Sequence, residues 1–201
     1  MAAGRTLLAG VLGGVAMFVW ASIAHMILPI SGAGIEEITT NEAALLAQMQ
    51  ATLGERSGFY IYPSLGLKPG ASAAERNTAM QQYDQKLAIN PSGLIIYHPP
   101  GAKSLTAGQM ISEFLAELTE ALLAVVLLVQ TRLASIGARI GFVTVAGILA
   151  SLPTNVSYAI WYGFPAIYTA AYMMIQIAGF IVAGIVVAFV LPRRVAAAAT
   201  P

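Results

Sequence analysis

Hydrophobic residues in this chain gather into long runs rather than narrow stripes. Four runs are long enough to be read as membrane-spanning helices: residues 1–29, 106–131, 140–162 and 165–191. The second differs from the others because Glu113, Glu117 and Glu120 interrupt it. The apolar run that follows, Ala121 to Val129, rises only about 13 Å as a helix, against a hydrocarbon core of roughly 30 Å. To cross, this helix must reach back through the glutamates to about Met110. Carboxylates at such depth are costly and face a bundle interior or a wet cavity. At about 100° per residue the three lie within about 60° of one another, and Thr106 and Gln109 extend the same face. A signal peptide is the alternative for the first run, but its apolar stretch exceeds the roughly 7–15 residues of a signal-peptide core.

The other runs carry polar positions in matching halves. The third lines up Ser151, Asn155, Tyr158 and Tyr162, and the fourth Tyr168, Tyr172 and Gln176. The first lines up His25, Ser22, Phe18 and Gly14. Counted inward at about 1.5 Å per residue, these positions fall into layers with the glutamates. They predict a polar cavity open at one face and closed below by apolar side chains, with Glu113, Glu117, Glu120, His25, Asn155, Tyr158, Tyr172 and Gln176 as candidate ligand- or proton-binding residues. Gly10 and Gly14, with Gly13 beside them, form a small-residue face for close helix approach, either within the chain or to another subunit. Pro153 is expected to kink the third span near Leu149.

Between the first two spans lies a polar segment, 30–105, with its own elements. Thr40 or Asn41 can cap a helix carrying Leu45, Leu46, Met49 and Leu53, ended by Gly54. Ser72 to Glu75 reads as a capping box opening a second helix, with Met80, Tyr83 and Leu87 on one face and Asn90-Pro91 at its end. Phe59–Tyr62 and Leu94–Tyr97 are β-prone, each followed by proline, and can pair.

Charge sets the orientation. Arg5, Arg132, Arg139, Arg193 and Arg194 fall on one side of a four-span arrangement with no acidic residue among them. By the positive-inside rule the termini, the 132–139 loop and the 192–201 tail are cytoplasmic, and 30–105 is extracytoplasmic. Trp161, Tyr162 and Tyr168 then suit an interfacial belt. The chain is 58% hydrophobic and 9% charged with net charge +1, far below the roughly 25% charged residues of a soluble domain. No basic patch exists to neutralise nucleic-acid phosphates. The absence of cysteine removes disulfides, thiolate metal sites and cysteine nucleophiles.

The glutamates admit three readings: structural hydrogen bonding to their polar neighbours, a proton or cation site, or a carboxylate-rich metal site. The Glu-x-x-His pair of dimetal bundles is missing. His25 reads as an interfacial or hydrogen-bonded histidine, as a partner to Glu113 or Glu117, or as an axial ligand to a haem or pigment; His98 reads as a loop residue. No nucleophile triad, phosphate loop or dinucleotide fingerprint occurs, and the sequence requires no cofactor.

The segments Phe18-Val19-Trp20 through His25-Met26-Ile27-Leu28-Pro29, Gly58-Phe59-Tyr60-Ile61-Tyr62-Pro63 and Trp161-Tyr162-Gly163-Phe164-Pro165-Ala166-Ile167-Tyr168-Thr169 resemble those of a family of small, uncharacterised bacterial inner-membrane proteins with four predicted spans. The resemblance implies an inner-membrane protein with an outer segment after the first span, and carries no functional residue.

Together these readings predict an all-α membrane protein, a four-transmembrane-helix bundle with a small α+β extracytoplasmic insertion between helices 1 and 2. The leading functional expectation is a non-enzymatic accessory or scaffolding subunit of a larger, energy-transducing inner-membrane complex, with lipid and membrane-protein partners or self-association. The alternatives are a binding or transport protein for a cation, proton or small polar solute, and a metal- or pigment-bearing subunit.

Overall fold

The computed structural model describes residues 2–192; Arg193 and Arg194 lie outside the described residues. The chain is mostly helical, with the order α1 (Ala2–Met26), α2 (Glu42–Leu53), β1 (Gly58–Tyr62), α3 (Ala73–Ile89), β2 (Gly93–Tyr97), α4 (Ala107–Val129), α5 (Ile136–Tyr162) and α6 (Ala166–Val190). Three helices are long and apolar enough to cross a membrane, Ala3–Met26, Ile136–Tyr162 and Ala166–Val190, which supports a membrane protein. Two compact units form: Glu36–Ser104, and the chain on either side of it.

In the larger unit the sequence sets the helix ends. Thr106 accepts from the Gln109 amide (3.2 Å) while the Gln109 side chain accepts from the Thr106 amide (2.8 Å), a capping box that starts α4. Ser135 accepts from the Ala138 amide and starts α5 at Ile136. The connection expected at 132–139 is therefore shorter, and Arg139 sits in the first turn of α5 rather than in a loop. Gly163, at φ 70, ends α5 in the left-handed conformation and turns the chain into α6.

Small residues then set the packing. A Cβ on Gly10 would stand 3.3 Å from the Cα of Leu122, and one on Gly14 would stand 2.7 Å from the Cα of Leu118. Phe18 meets Phe114 edge to face, with centroids 5.4 Å apart. These pairs advance by four on α1 as they retreat by four on α4, so the two helices run antiparallel in continuous contact. Across α1, Gly13 faces Ala183 and Val187 of α6; across α6, Gly147 faces Phe180 and Gly184 faces Val143 of α5. The packing order is α4–α1–α6–α5, with little contact between α4 and either α5 or α6. The core, including Ala9, Met17, Ala124, Val125, Leu128, Val143, Phe180, Ala183 and Val187, occupies the half nearest the α4–α5 connection.

In the smaller unit β1 and β2 pair antiparallel, Gly58 opposite Tyr97 and Tyr62 opposite Gly93. Tyr97 is the one buried hydrophobic residue there among those described; its hydroxyl donates to the Gly54 carbonyl at 2.9 Å. The Ser72–Glu75 capping box opens α3. Asn41 stands at the start of α2 but adopts φ 55, and its side chain makes no cap hydrogen bond. Neither α2 nor α3 buries a residue.

Candidate functional site

Spacing decides what α4 shows its neighbours. Glu117 and Glu120 continue, at intervals of three and four, the stripe that lower down is Ala121, Ala124 and Leu128. The stripe that packs the core in one half of the unit thus presents carboxylates in the other. There it borders a cavity of about 250 Å³ between α1, α4 and α6. Trp20 and His25 line it from α1, Glu113, Glu117 and Glu120 from α4, and Tyr172 and Gln176 from α6; Met17, Ile175 and Gly179 close it toward the core. An adjoining cavity of about 400 Å³ shares Ala21, His25, Glu113 and Tyr172 with it and extends past Gln109 to Leu105. Glu113 and His25 are exposed, and Glu117 and Glu120 are half-buried.

No lysine or arginine lines either space. One carboxylate oxygen, Oε2 of Glu117, is fully buried and has no hydrogen-bond partner among the described residues. Buried polar atoms are satisfied in the great majority of cases, so an orphaned one calls for an explanation, an ordered water or a bound group among them; Thr169 Oγ1 is the other such atom among the described residues. Among the described residues no group of three His, Asp or Glu side chains converges to hold a metal ion. The carboxylates follow one another along a single helix face instead of pointing at one centre.

Two features escaped sequence reasoning. The first is Trp20, whose indole Nε1 donates to the Ile175 carbonyl of α6 at 2.8 Å. The ring lies beside Gly179, where a Cβ would stand 3.4 Å from its Cδ1. Trp20 is off the His25–Ser22–Phe18 face, and only the missing side chain at Gly179 hints at its partner. The second is a chain of aromatic contacts. It runs from Tyr162 to Tyr158 (5.5 Å), Phe164 (5.5 Å), Tyr168 (5.4 Å), Tyr172 (4.4 Å) and finally His25 (5.7 Å) at the cavity. Tyr168, expected both on the polar face with Tyr172 and in the interfacial belt, is half-buried within this chain, whereas Trp161 is 79% exposed.

No residue of α5 is among those that line the cavity. Asn155 and Tyr158 do not line the cavity. The polar side chains of α5 bond to their own helix instead. The Asn155 side-chain amide donates to the Ser151 carbonyl (2.8 Å), and buried Ser151 donates to the Ile148 carbonyl (2.9 Å). Tyr158 stacks on Phe164. Ser22 likewise donates to the Phe18 carbonyl and borders only the larger cavity. Gly10 and Gly14 do pack helices, within the chain, against α4.

No protein-family model, curated protein or solved structure matches this chain.

Proposed function

We propose that the protein crosses the membrane four times, α4 included, and binds a small monovalent or organic cation in the acidic cavity. Depth supports the fourth crossing. Gly14 is the midpoint of α1, and it meets Leu118, the immediate neighbour of Glu117. If α1 spans the bilayer, Glu117 lies near its middle. In this reading the fold is the four-helix bundle with the 30–105 insertion outside, both termini cytoplasmic, and the location a bacterial inner membrane. The arginine distribution supports that orientation.

The observation that carries the reading is the buried, partnerless Glu117 oxygen beside a cavity lined by three carboxylates, with His25 but no lysine or arginine. Walls of one charge sign in a low-dielectric surround concentrate counter-ions. At about 30 Å³ per water the cavity has room for roughly eight waters, enough for a partly hydrated ion or a small ammonium. Trp20 and Tyr172 add aromatic walls suited to a cation. The absence of a converging three-ligand set among the described residues favours such an ion over a tightly coordinated metal.

The test uses Trp20 as reporter, in a Trp161→Phe background that removes the other tryptophan. Sodium, potassium or methylammonium chloride is titrated at constant ionic strength against bulky N-methylglucamine, and tryptophan emission and thermal midpoint are followed. Saturable stabilisation by at least one probe, lost in Glu117→Gln, supports the site; equal behaviour of every probe and N-methylglucamine refutes it.

A second reading, an accessory or scaffolding subunit of a larger membrane assembly, is favoured by the smaller unit. Leu46 and Met80 are 55% and 50% exposed, and only Tyr97 is buried, so its helices offer apolar surface for docking. Stoichiometric co-purification in mild detergent supports that role, and a lone 21.0 kDa chain in native membranes refutes it.

A further inference from the structure

At the opposite end of the larger unit a charged side chain is buried without a carboxylate. Arg139, in the first turn of α5, is 3% exposed. Its Nε donates to the Leu133 carbonyl (3.2 Å), Nη1 to Leu191 (3.1 Å) and Nη2 to Pro192 (2.9 Å). These bonds tie the α4–α5 connection to the end of α6, whose terminal carbonyls carry partial negative charge. A guanidinium has five N–H donors, and these bonds account for three. No Asp or Glu occurs before Glu36 or after Glu120. Along α4, Glu120 lies eight residues from Leu128, about 12 Å away. A buried cation without a counter-charge is strongly unfavourable.

Arg139 also lines a cavity of about 310 Å³, together with Ala3, Thr6, Leu128, Thr131 and Pro192. These residues come from the ends of α1, α4, α5 and α6, the level at which a spanning helix meets lipid headgroups. Arg5, near the start of α1, and Arg132, just past the end of α4, are both exposed at this end. Guanidinium binds phosphate through paired, charge-assisted hydrogen bonds, and basic pockets between spanning helices suit anionic headgroups.

We propose that this cavity binds a phosphate anion on Arg139, supplied by the headgroup of an anionic phospholipid. The phosphate takes the unused guanidinium N–H groups and completes the neutralisation that the α6 carbonyls begin. The site is independent of the acidic cavity.

The test places the full chain in phosphatidylcholine nanodiscs and titrates phosphatidylglycerol in one arm and inorganic phosphate in the other. Native mass spectrometry counts retained lipid, and the thermal midpoint is recorded. One phosphatidylglycerol per chain should be retained in preference to phosphatidylcholine, with a saturable rise in midpoint. Ala3→Phe fills the cavity from α1 without touching the Arg139 bonds; it should keep its own midpoint in pure phosphatidylcholine and lose the adduct. Arg132→Gln should keep the adduct about fivefold more weakly, the effect of one basic residue near an anionic surface. Stabilisation by inorganic phosphate, abolished by Ala3→Phe and without retained lipid, keeps the phosphate site and replaces the lipid as its source. Neither probe acting, or an adduct unchanged in Ala3→Phe, overturns the proposal.

Discussion

Gly14→Ala tests the α1–α4 register on which the depth of the glutamates depends. The new Cβ would lie 2.7 Å from the Cα of Leu118 and 3.1 Å from its Cδ1. Carbon atoms rest at about 3.5–4.0 Å, and the Leu118 Cα is backbone that cannot rotate away, so α1 must retreat by roughly 1 Å. Overpacking of this kind costs about 1–3 kcal/mol. Gly4→Ala is the reference: a Cβ there meets nothing within 4 Å and gains only the helix propensity of alanine, about 1 kcal/mol. Gly10→Ala should fall between them, because its closest clash, 2.5 Å, is with the terminal Cδ2 of Leu122, which can turn aside. For a chain of about 200 residues, 1 kcal/mol moves the thermal midpoint by about 2–4 °C. Both variants gain the helix propensity of alanine, so thermal unfolding followed by circular dichroism should place Gly14→Ala about 2–12 °C below Gly4→Ala. Equal midpoints for the two would refute the packing of α1 on α4 in this register.

Other consequences follow from the site and from the smaller unit. Glu117→Leu should raise the thermal midpoint without added cation, because it removes a buried, partnerless oxygen, and should abolish cation-dependent stabilisation; a lowered midpoint would show that the carboxylate is structural. Trp20→Phe keeps an aromatic ring but removes the pyrrole part of the indole together with its 2.8 Å bond to the Ile175 carbonyl; a cost of about 1–3 kcal/mol in denaturant unfolding is expected, and no cost would place the indole elsewhere. In α3, hydrogen bonds from the Ser72 hydroxyl and amide (both 2.7 Å) hold the Glu75 carboxyl below the usual carboxylate range. A lowered folded-state value means that the cap stabilises α3 above the ordinary carboxylate pKa and fails as pH falls below it. Hydrogen exchange at the first turn of α3 should therefore lose protection as pH falls below the ordinary carboxylate value, relative to Glu75→Gln and once corrected for intrinsic rates; parallel profiles would exclude the cap.

Continuous apolar length was enough to mark α1, α5 and α6 in the sequence, since no other feature competes over such runs. The Ser72 capping box was legible because its logic is local. The face of α4 was legible too: Glu117 and Glu120 follow the helical period of Ala121, Ala124 and Leu128. What the period could not state is which neighbour each face addresses. The polar row of α5 reads along the sequence like that of α6, yet no α5 residue lines the cavity, and Asn155 and Ser151 bond to their own helix. Gln109 was placed on the acidic face, but its side chain caps α4 through Thr106. Trp20 and Arg139 act on partners 155 and 52 residues away, pairings that hydropathy and spacing along one chain do not encode.

The central claim is that Glu117 faces an internal, polar space near the middle of the membrane. The chain has no cysteine, so a nitroxide attached at Glu117→Cys in nanodiscs reports its surroundings directly through oxygen and nickel-chelate accessibility. Leu123→Cys, on the exposed side of α4, gives the lipid reference, and Lys103→Cys the water reference. The account predicts low oxygen accessibility at 117, below the Leu123 site, with nickel accessibility well under that of the Lys103 site. Values at 117 matching either reference would contradict it.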